Sequence, residues 1–172
     1  DEPNSFCKDI FSLLKSNGVW MLELSYLPLM LKNLTYDQIC HEHISYYTLN
    51  VFKKIAEKNK LKIVDVGLNE INGGSIEIVC ARVESKIKAR HGKIRKLLND
   101  ERKINLNSFK NFNKRINYTK KSIINFINKN SDKEIIGYGA STKGNVVLNH
   151  CKINNNQIKK ICDGNKKKIG SY

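Results

Sequence analysis

The sequence predicts an α/β protein, and three local patterns carry that prediction. Ser5 to Leu14 places Phe6, Ile10, Leu13 and Leu14 at helical spacing, and after Asn17-Gly18 the chain enters a nearly continuous apolar run, Val19 to Leu24. Asn72-Gly73-Gly74 separates two alternating segments, Lys62 to Leu68 and Ser75 to Arg82, as the reversal of a β-hairpin does. Lys133 to Tyr138 is a short strand that runs into the glycine-rich turn Gly139 to Asn145, after which Val146, Val147 and Cys151 form one helical face.

Taken in order, Asn4 or Ser5 can cap the first helix and Asn17-Gly18 can end it. An apolar run such as Val19 to Leu24 suits a buried strand of a parallel sheet. Leu49, Phe52, Ile55, Ala56 and Leu61 trace a second amphipathic helix, and the hairpin that follows turns Ile76, Ile78 and Cys80 to one side at a sheet edge. From Glu84 to Asn130 strand signals are lacking. Ile87, Ile94, Leu97, Leu98 and Ile104 mark one helix, and Phe109, Phe112, Ile116, Thr119, Ile123 and Phe126 draw an apolar seam along another. Ile158 to Cys162 reads as a strand ending at Asp163.

A chain of 172 residues can bury one full core, or one domain plus part of a second. It begins at Asp1 without a methionine, and only nine residues follow Asp163, so a piece of a longer protein is expected. The most apolar stretch, Val19 to Leu31, is interrupted by Glu23, Ser25 and Pro28 and is too short for a membrane span. Five scattered cysteines imply neither a disulfide framework nor a metal knuckle, and a reducing cytoplasm is the expected compartment. Of the net charge of +15, residues 84–130 supply most, with fourteen Lys or Arg against three acids. Their aromatic residues keep a helical period and leave the cations on other faces, which describes a solvated helix rather than a nucleic-acid surface.

The stretch from Tyr36 to Thr48 is the densest in chemistry. Asp37, Cys40, His41, Glu42, His43, Ser45, Tyr46 and Tyr47 all move or hold protons. An extended chain would point His41 and His43 to one side and Glu42 to the other, whereas a turn would gather them. A histidine beside a carboxylate can serve as general base near neutral pH. The same residues could instead cross-link a surface loop by hydrogen bonds. A metal is not expected, because the spacing matches neither His-Glu-x-x-His nor paired Cys-x-x-Cys. The glycine-rich turn offers a helix N-terminus and the donors Ser141, Thr142, Lys143 and Asn145 to an anion such as a diphosphate. It is neither a Walker A loop nor Gly-x-Gly-x-x-Gly, although Asp163 stands where dinucleotide folds place a ribose-binding acid.

Ser25-Tyr26-Leu27-Pro28, Tyr36-Asp37-Gln38-Ile39-Cys40-His41-Glu42-His43, Ser45-Tyr46-Tyr47, Asn72-Gly73-Gly74-Ser75 and Gly139 to Asn145 together resemble the sugar C-methyltransferases. The resemblance spans essentially the whole chain. It implies S-adenosylmethionine as cofactor, a nucleotide-linked 4-keto deoxysugar as partner, and methylation of the carbon next to its ketone. It implies that residues 1–83 are the C-terminal half of a class I methyltransferase domain, a Rossmann-like sheet whose last two strands form the antiparallel hairpin. Linking helices at 84–130 and a truncated Rossmann-like nucleotide-sugar domain at 131–172 would follow. The main S-adenosylmethionine loop and a small zinc module would lie upstream, leaving this chain inactive alone. His43 would be the base, with Glu42 and His41 beside it. Tyr26, Tyr46, Ser141, Thr142, Lys143, Gly144 and Asn145 would hold the substrate. One departure is Cys40, where relatives carry a catalytic tyrosine. A thiol is shorter and a weaker donor than a phenol, so the enolate would be stabilised differently, with Tyr46 or Tyr47 as substitutes. The alternative is a non-catalytic dinucleotide or nucleotide-sugar binding module.

Overall fold

The computed structural model describes residues 2–170, which form a mixed α/β protein. Two compact units divide it. One comprises the chain up to Asn33 and Ser45–Phe109, and the other comprises Leu34–Ile44 and the chain from Lys110 onward.

The first unit is built on a three-stranded sheet of β1 (Val19–Ser25), β2 (Leu61–Asn69) and β3 (Ser75–Arg82), in the order β1-β3-β2. Both pairings are antiparallel. The hairpin appears as read, but β1 departs from the parallel, wholly buried strand expected of Val19 to Leu24. Trp20, Leu22 and Leu24 sit opposite Cys80, Ile78 and Ile76 and point into the core, while Met21 on the other face is 72% exposed. The reason lies in the neighbours. Only one face of this sheet is packed by described helices, so a run apolar at nearly every position is buried at alternate ones.

Helix α1 (Pro3–Leu13) and helix α3 (Leu49–Lys58) cover the apolar face. Phe6, Trp20 and Phe52 stack in sequence with ring centroids 5.8 and 5.9 Å apart. Burial of Ile76 and Ile78 to 1% exposure contributes roughly 2 kcal/mol each. Helix α1 starts with Pro3 in its first turn and lacks the side-chain cap expected from Asn4 or Ser5; it ends at Leu13, ahead of Asn17-Gly18. Helix α3 stops at Lys58, and Leu61 belongs to β2. A β-bulge at Val64 frees its carbonyl to accept from Arg90 N–H at 2.8 Å, and the Asp65 carboxylate takes Arg90 and Lys93 at 3.2 and 3.5 Å. These contacts pin the start of α4 (His91–Glu101), four residues later than Ile87 in the expected helix.

The hairpin turn is shaped by its glycines. A short helix not foreseen in the sequence, α2 (Leu27–Asn33), lies against it, and Asn33 Nδ2 donates to Gly73 O at 2.8 Å. Gly74 has φ +131°, and a Cβ there would stand 2.6 Å from Cβ of Leu29. Both the backbone and the packing exclude any other residue.

Helix α5 (Leu106–Lys129) leads into the second unit. Phe112, Ile116 and Ile127 are its buried residues, whereas Phe109 and Phe126 of the expected seam are exposed. Strands β4 (Ile136–Tyr138) and β5 (Lys160–Cys162) pair in parallel and are joined through α6 (Thr142–Cys151), making one βαβ unit. Among the described residues, no helix is long and apolar enough to cross a membrane.

Gly74→Ala should lower the stability of the chain by about 2–3 kcal/mol in a denaturant titration, through the φ strain and the collision with Leu29. An equal midpoint for the two proteins would show that the turn relaxes freely.

Candidate functional site

Tyr36–Gln38 forms a single 3-10 turn, and a second turn follows immediately, closed by His43 N–H donating to Cys40 O at 3.1 Å. This fold gathers the polar side chains, though not in the expected pairing. The Glu42 carboxylate accepts from the Cys40 thiol at 3.3 Å and lies 3.9 Å from Nε2 of His41. The ring of His43 is exposed and open to an incoming molecule. His41 is exposed as well, at 87% of its side chain, so an ion pair with Glu42 contributes little to stability. Ile39 and Ile44, which flank the turn, are 50% and 86% exposed. From His41 to Ser45 the segment is therefore solvent-facing, with Cys40 half-buried before it.

Each end of that segment is fixed. At its start Tyr36 and Gln38 are buried, and the turn they belong to packs on α6. The Tyr36 ring meets the His150 ring edge-on, with centroids 5.7 Å apart. Burial raises the Tyr36 hydroxyl above the ordinary phenol range, with Cys151 and Asp37 adding to it. Beyond the segment, Leu27 N–H donates to Tyr47 O at 3.0 Å, and Tyr26 and Tyr47 form an isolated parallel bridge. Thr48 caps α3 by accepting from Val51 N–H at 3.2 Å.

The strongest fixture is Glu101, the last residue of α4. Its buried carboxylate accepts from Leu49 N–H at 2.5 Å, from Asn50 N–H at 2.9 Å and from the Tyr26 hydroxyl at 2.8 Å. It supplies a negative charge to the N-terminus of α3, where the orphan donors and the helix dipole both favour one. Tyr26, expected on the substrate, is instead 2% exposed with its hydroxyl committed to Glu101. Burial, and then this carboxylate, push the phenol pKa far upward. Tyr46 is half-buried. Neither Glu101 nor His150 was a candidate from sequence. A lone pair of acids, Asp100 and Glu101, within a strongly basic stretch was the available signal for the first.

The glycine-rich turn behaves as a strand-to-helix connection whose amides are largely committed. Gly139, at φ +94°, donates its N–H to Cys162 O at 2.7 Å. Ser141 caps α6, its Oγ accepting from Gly144 N–H at 3.1 Å and its carbonyl from Asn145 N–H at 3.0 Å. Ala140 N–H donates to Asp163 Oδ2 at 2.9 Å, and Asn165 N–H donates to Asp163 Oδ1 at 2.8 Å. Lys168 Nζ lies 3.0 Å from Asp163 and also donates to the Ala140 carbonyl. The acid expected to face a ribose is thus occupied within the turn. What remains outward are the exposed Ser141 and Thr142 at the helix start, with Lys143, Gly144 and Asn145 half-buried behind them. Lys120 Nζ donates to His150 O at 2.6 Å at the other end, the favourable place for a cation. No group of three or more His, Cys, Asp or Glu among the described residues is arranged to hold a metal.

Residues 70–172 match the family described as the C-methyltransferase C-terminal domain. The C-methyltransferase NovU of Streptomyces niveus is 29% identical over 160 residues, covering 90% of this chain and 38% of the relative. The chain therefore spans well under half the length of that curated relative.

Glu101→Ala should cost about 3 kcal/mol in a denaturant titration, because it strands two backbone donors and one hydroxyl, while Tyr26→Phe should cost about 1 kcal/mol. Equal losses would show that the capping of α3 contributes nothing. Asp163 is held below the usual carboxylate range, chiefly by Asn165 N–H, then by Lys168 and Ala140 N–H. A depressed folded-state pKa stabilises above the unfolded value, about 3.9, and that contribution is lost as pH falls through the folded value. The protection of the Ala140 and Asn165 amides against exchange, relative to their intrinsic rates, should therefore hold down to about pH 4 and fall only below it. In Asp163→Asn exchange should be fast already at neutral pH; slow exchange there would show that the carboxylate charge is not what holds the turn.

Proposed function

This chain belongs to the C-methyltransferase C-terminal domain family, and on that premise we propose that it presents the proton-abstracting loop and the substrate-gripping turn of a sugar C-methyltransferase. The substrate is a nucleotide-linked 4-keto deoxysugar, methylated at the carbon next to the ketone. The observation that carries this reading is the exposed His-Glu-His turn, whose His43 ring is open to solvent while both flanks of the turn are anchored. A base that must reach a substrate carbon has to be accessible and yet held in place.

The chemistry asked of this chain is limited. His43 takes the weakly acidic hydrogen from the carbon α to the ketone, and the electron pair moves onto the ketone oxygen as an enolate. Glu42 supports that proton transfer through the turn it shares with His41. Its acceptance from Cys40 leaves the thiol committed to a carboxylate, so we assign enolate stabilisation to a donor other than Cys40, with Tyr46 the nearest candidate in sequence. Thr142 and Ser141, at the start of α6, receive the substrate diphosphate, and Lys143 and Asn145 complete the grip.

S-adenosylmethionine, the sulfonium methyl donor, is the proposed cofactor. Among the described residues, the turn after β4 is not proposed as its cradle. Their glycine-rich strand-to-helix turn has its strand-end acid committed to Ala140, Asn165 and Lys168, so no carboxylate faces a ribose there. The same observation weighs against a dinucleotide-binding module. Sheet β1-β3-β2 is read as the second half of a Rossmann-like methyltransferase sheet, and β4-α6-β5 as the opening of another Rossmann-like unit.

In the complete protein, His43→Ala should abolish methyl transfer to a nucleotide-linked keto sugar, a loss of at least about a hundredfold, with donor binding intact by calorimetry. Activity at the parental level would remove the base assignment.

A further inference from the structure

In the ring contact between Tyr36 and His150, Tyr36 opens the Tyr36-to-His43 motif while His150 belongs to none of the motifs, and the chemistry of the contact is unusual. Tyr36 is 7% exposed, and its hydroxyl is buried without a hydrogen-bond partner. Nε2 of His150 is likewise buried and unpartnered, as is the hydroxyl of Thr35, the residue before Tyr36 in the chain. Buried polar atoms are normally satisfied, and leaving them bare is costly. A tyrosine and a histidine kept together without using either polar atom are held there for ring packing. Their centroids stand 5.7 Å apart at 65°, the edge-to-face geometry that aromatic pairs favour.

Position gives this contact its consequence. Tyr36 opens the 3-10 turn that feeds directly into Cys40 to His43, and His150 sits in the last turn of α6. The first turn of the same helix is Thr142 to Asn145, capped by Ser141. A helix rises about 1.5 Å per residue, so Ser141 and His150 are separated by roughly 13 Å of rigid rod. The base-bearing loop and the anion-receiving turn are thus mounted on one support.

We propose that Tyr36 and His150 are positioning residues, whose ring-on-ring contact fixes the His-Glu-His loop on α6 at a set distance from the turn at that helix's other end. For its kinetic arm this proposal rests on the function proposed above; its structural arm does not. Because only the rings matter, phenylalanine at either position preserves the contact, whereas alanine removes it.

The test uses the complete protein and reads two quantities for His150→Ala, His150→Phe, Tyr36→Ala and Tyr36→Phe. The first is amide hydrogen exchange of Ile39–Ile44, with β3 amides as an internal control for global unfolding. Both alanine variants should speed exchange in the loop about tenfold or more while β3 is unchanged, and both phenylalanine variants should return it to the parental rate. The second is steady-state methyl transfer: His150→Ala should lower kcat about tenfold or more with little change in KM for the nucleotide sugar, and His150→Phe should restore it. Unchanged loop exchange in the alanine variants overturns the proposal whatever the reaction is. Faster loop exchange with undiminished kcat overturns the positioning role, and if His43→Ala is equally active in the same assay, the base assignment has failed separately.

Discussion

A single buried carboxylate organises the sheet-bearing unit. Glu101 closes α4 and at the same time caps α3 through Leu49 and Asn50, and it receives the Tyr26 hydroxyl. A carboxylate is costly to bury unless it is hydrogen-bonded, and here three donors converge on its two oxygens. Two of those donors exist only if α3 starts at Leu49, and the third only if the chain leaves β1 at Tyr26. One residue therefore sets where a helix begins and where a strand ends. The segments it joins lie 75 and 52 residues away in sequence.

The residues that follow the candidate loop are tied down in the same unit. From Tyr26 the backbone reaches Gly74 through N–H and, at the next residue, Tyr47 through N–H, so the turn of the hairpin, the end of β1 and the residues before α3 are tied together. Gly74 can take part because it tolerates φ +131° and the close approach of Leu29. At the other side of the reactive segment, Tyr36 is seated on α6. Between these fixtures, Ile39 to Ile44 spend few side chains on packing, and the imidazoles stay accessible. Burial is divided along the chain: the anchors are buried and the titratable side chains of the turn are not.

Much of this was legible because it is locally encoded. The Asn72-Gly73-Gly74 reversal and the strand-turn-helix-strand order of β4-α6-β5 follow from turn chemistry and period, which a short window of sequence contains, whereas Ser141, read there as a donor to an anion, caps α6 instead. Other features depend on partners that sequence alone does not name. The apolar run Val19 to Leu24 does not tell how many of its faces will be covered. Leu27 to Asn33 is too short, and too uniformly apolar after Pro28, to announce a helix. Glu101 reads as one acid among many cations until its distant donors are known. Asp163 was recognisable as a strand-end acid, but Lys168 and the Ala140 amide that occupy it are a matter of loop path. In the central loop the residue types pointed to proton chemistry, and it was the Cys40–His43 turn that directed Glu42 to Cys40 and His41 rather than to His43.

The central claim is that an accessible imidazole, held by anchored flanks, removes a hydrogen from carbon. Proton abstraction can be observed without any methyl donor, by following deuterium entry from D2O into the position α to the ketone of a nucleotide-linked 4-keto deoxysugar. With the complete protein that signal should exchange at an enzyme-dependent rate, and with His43→Gln the rate should fall at least about a hundredfold. Exchange at the parental rate in His43→Gln would contradict the account.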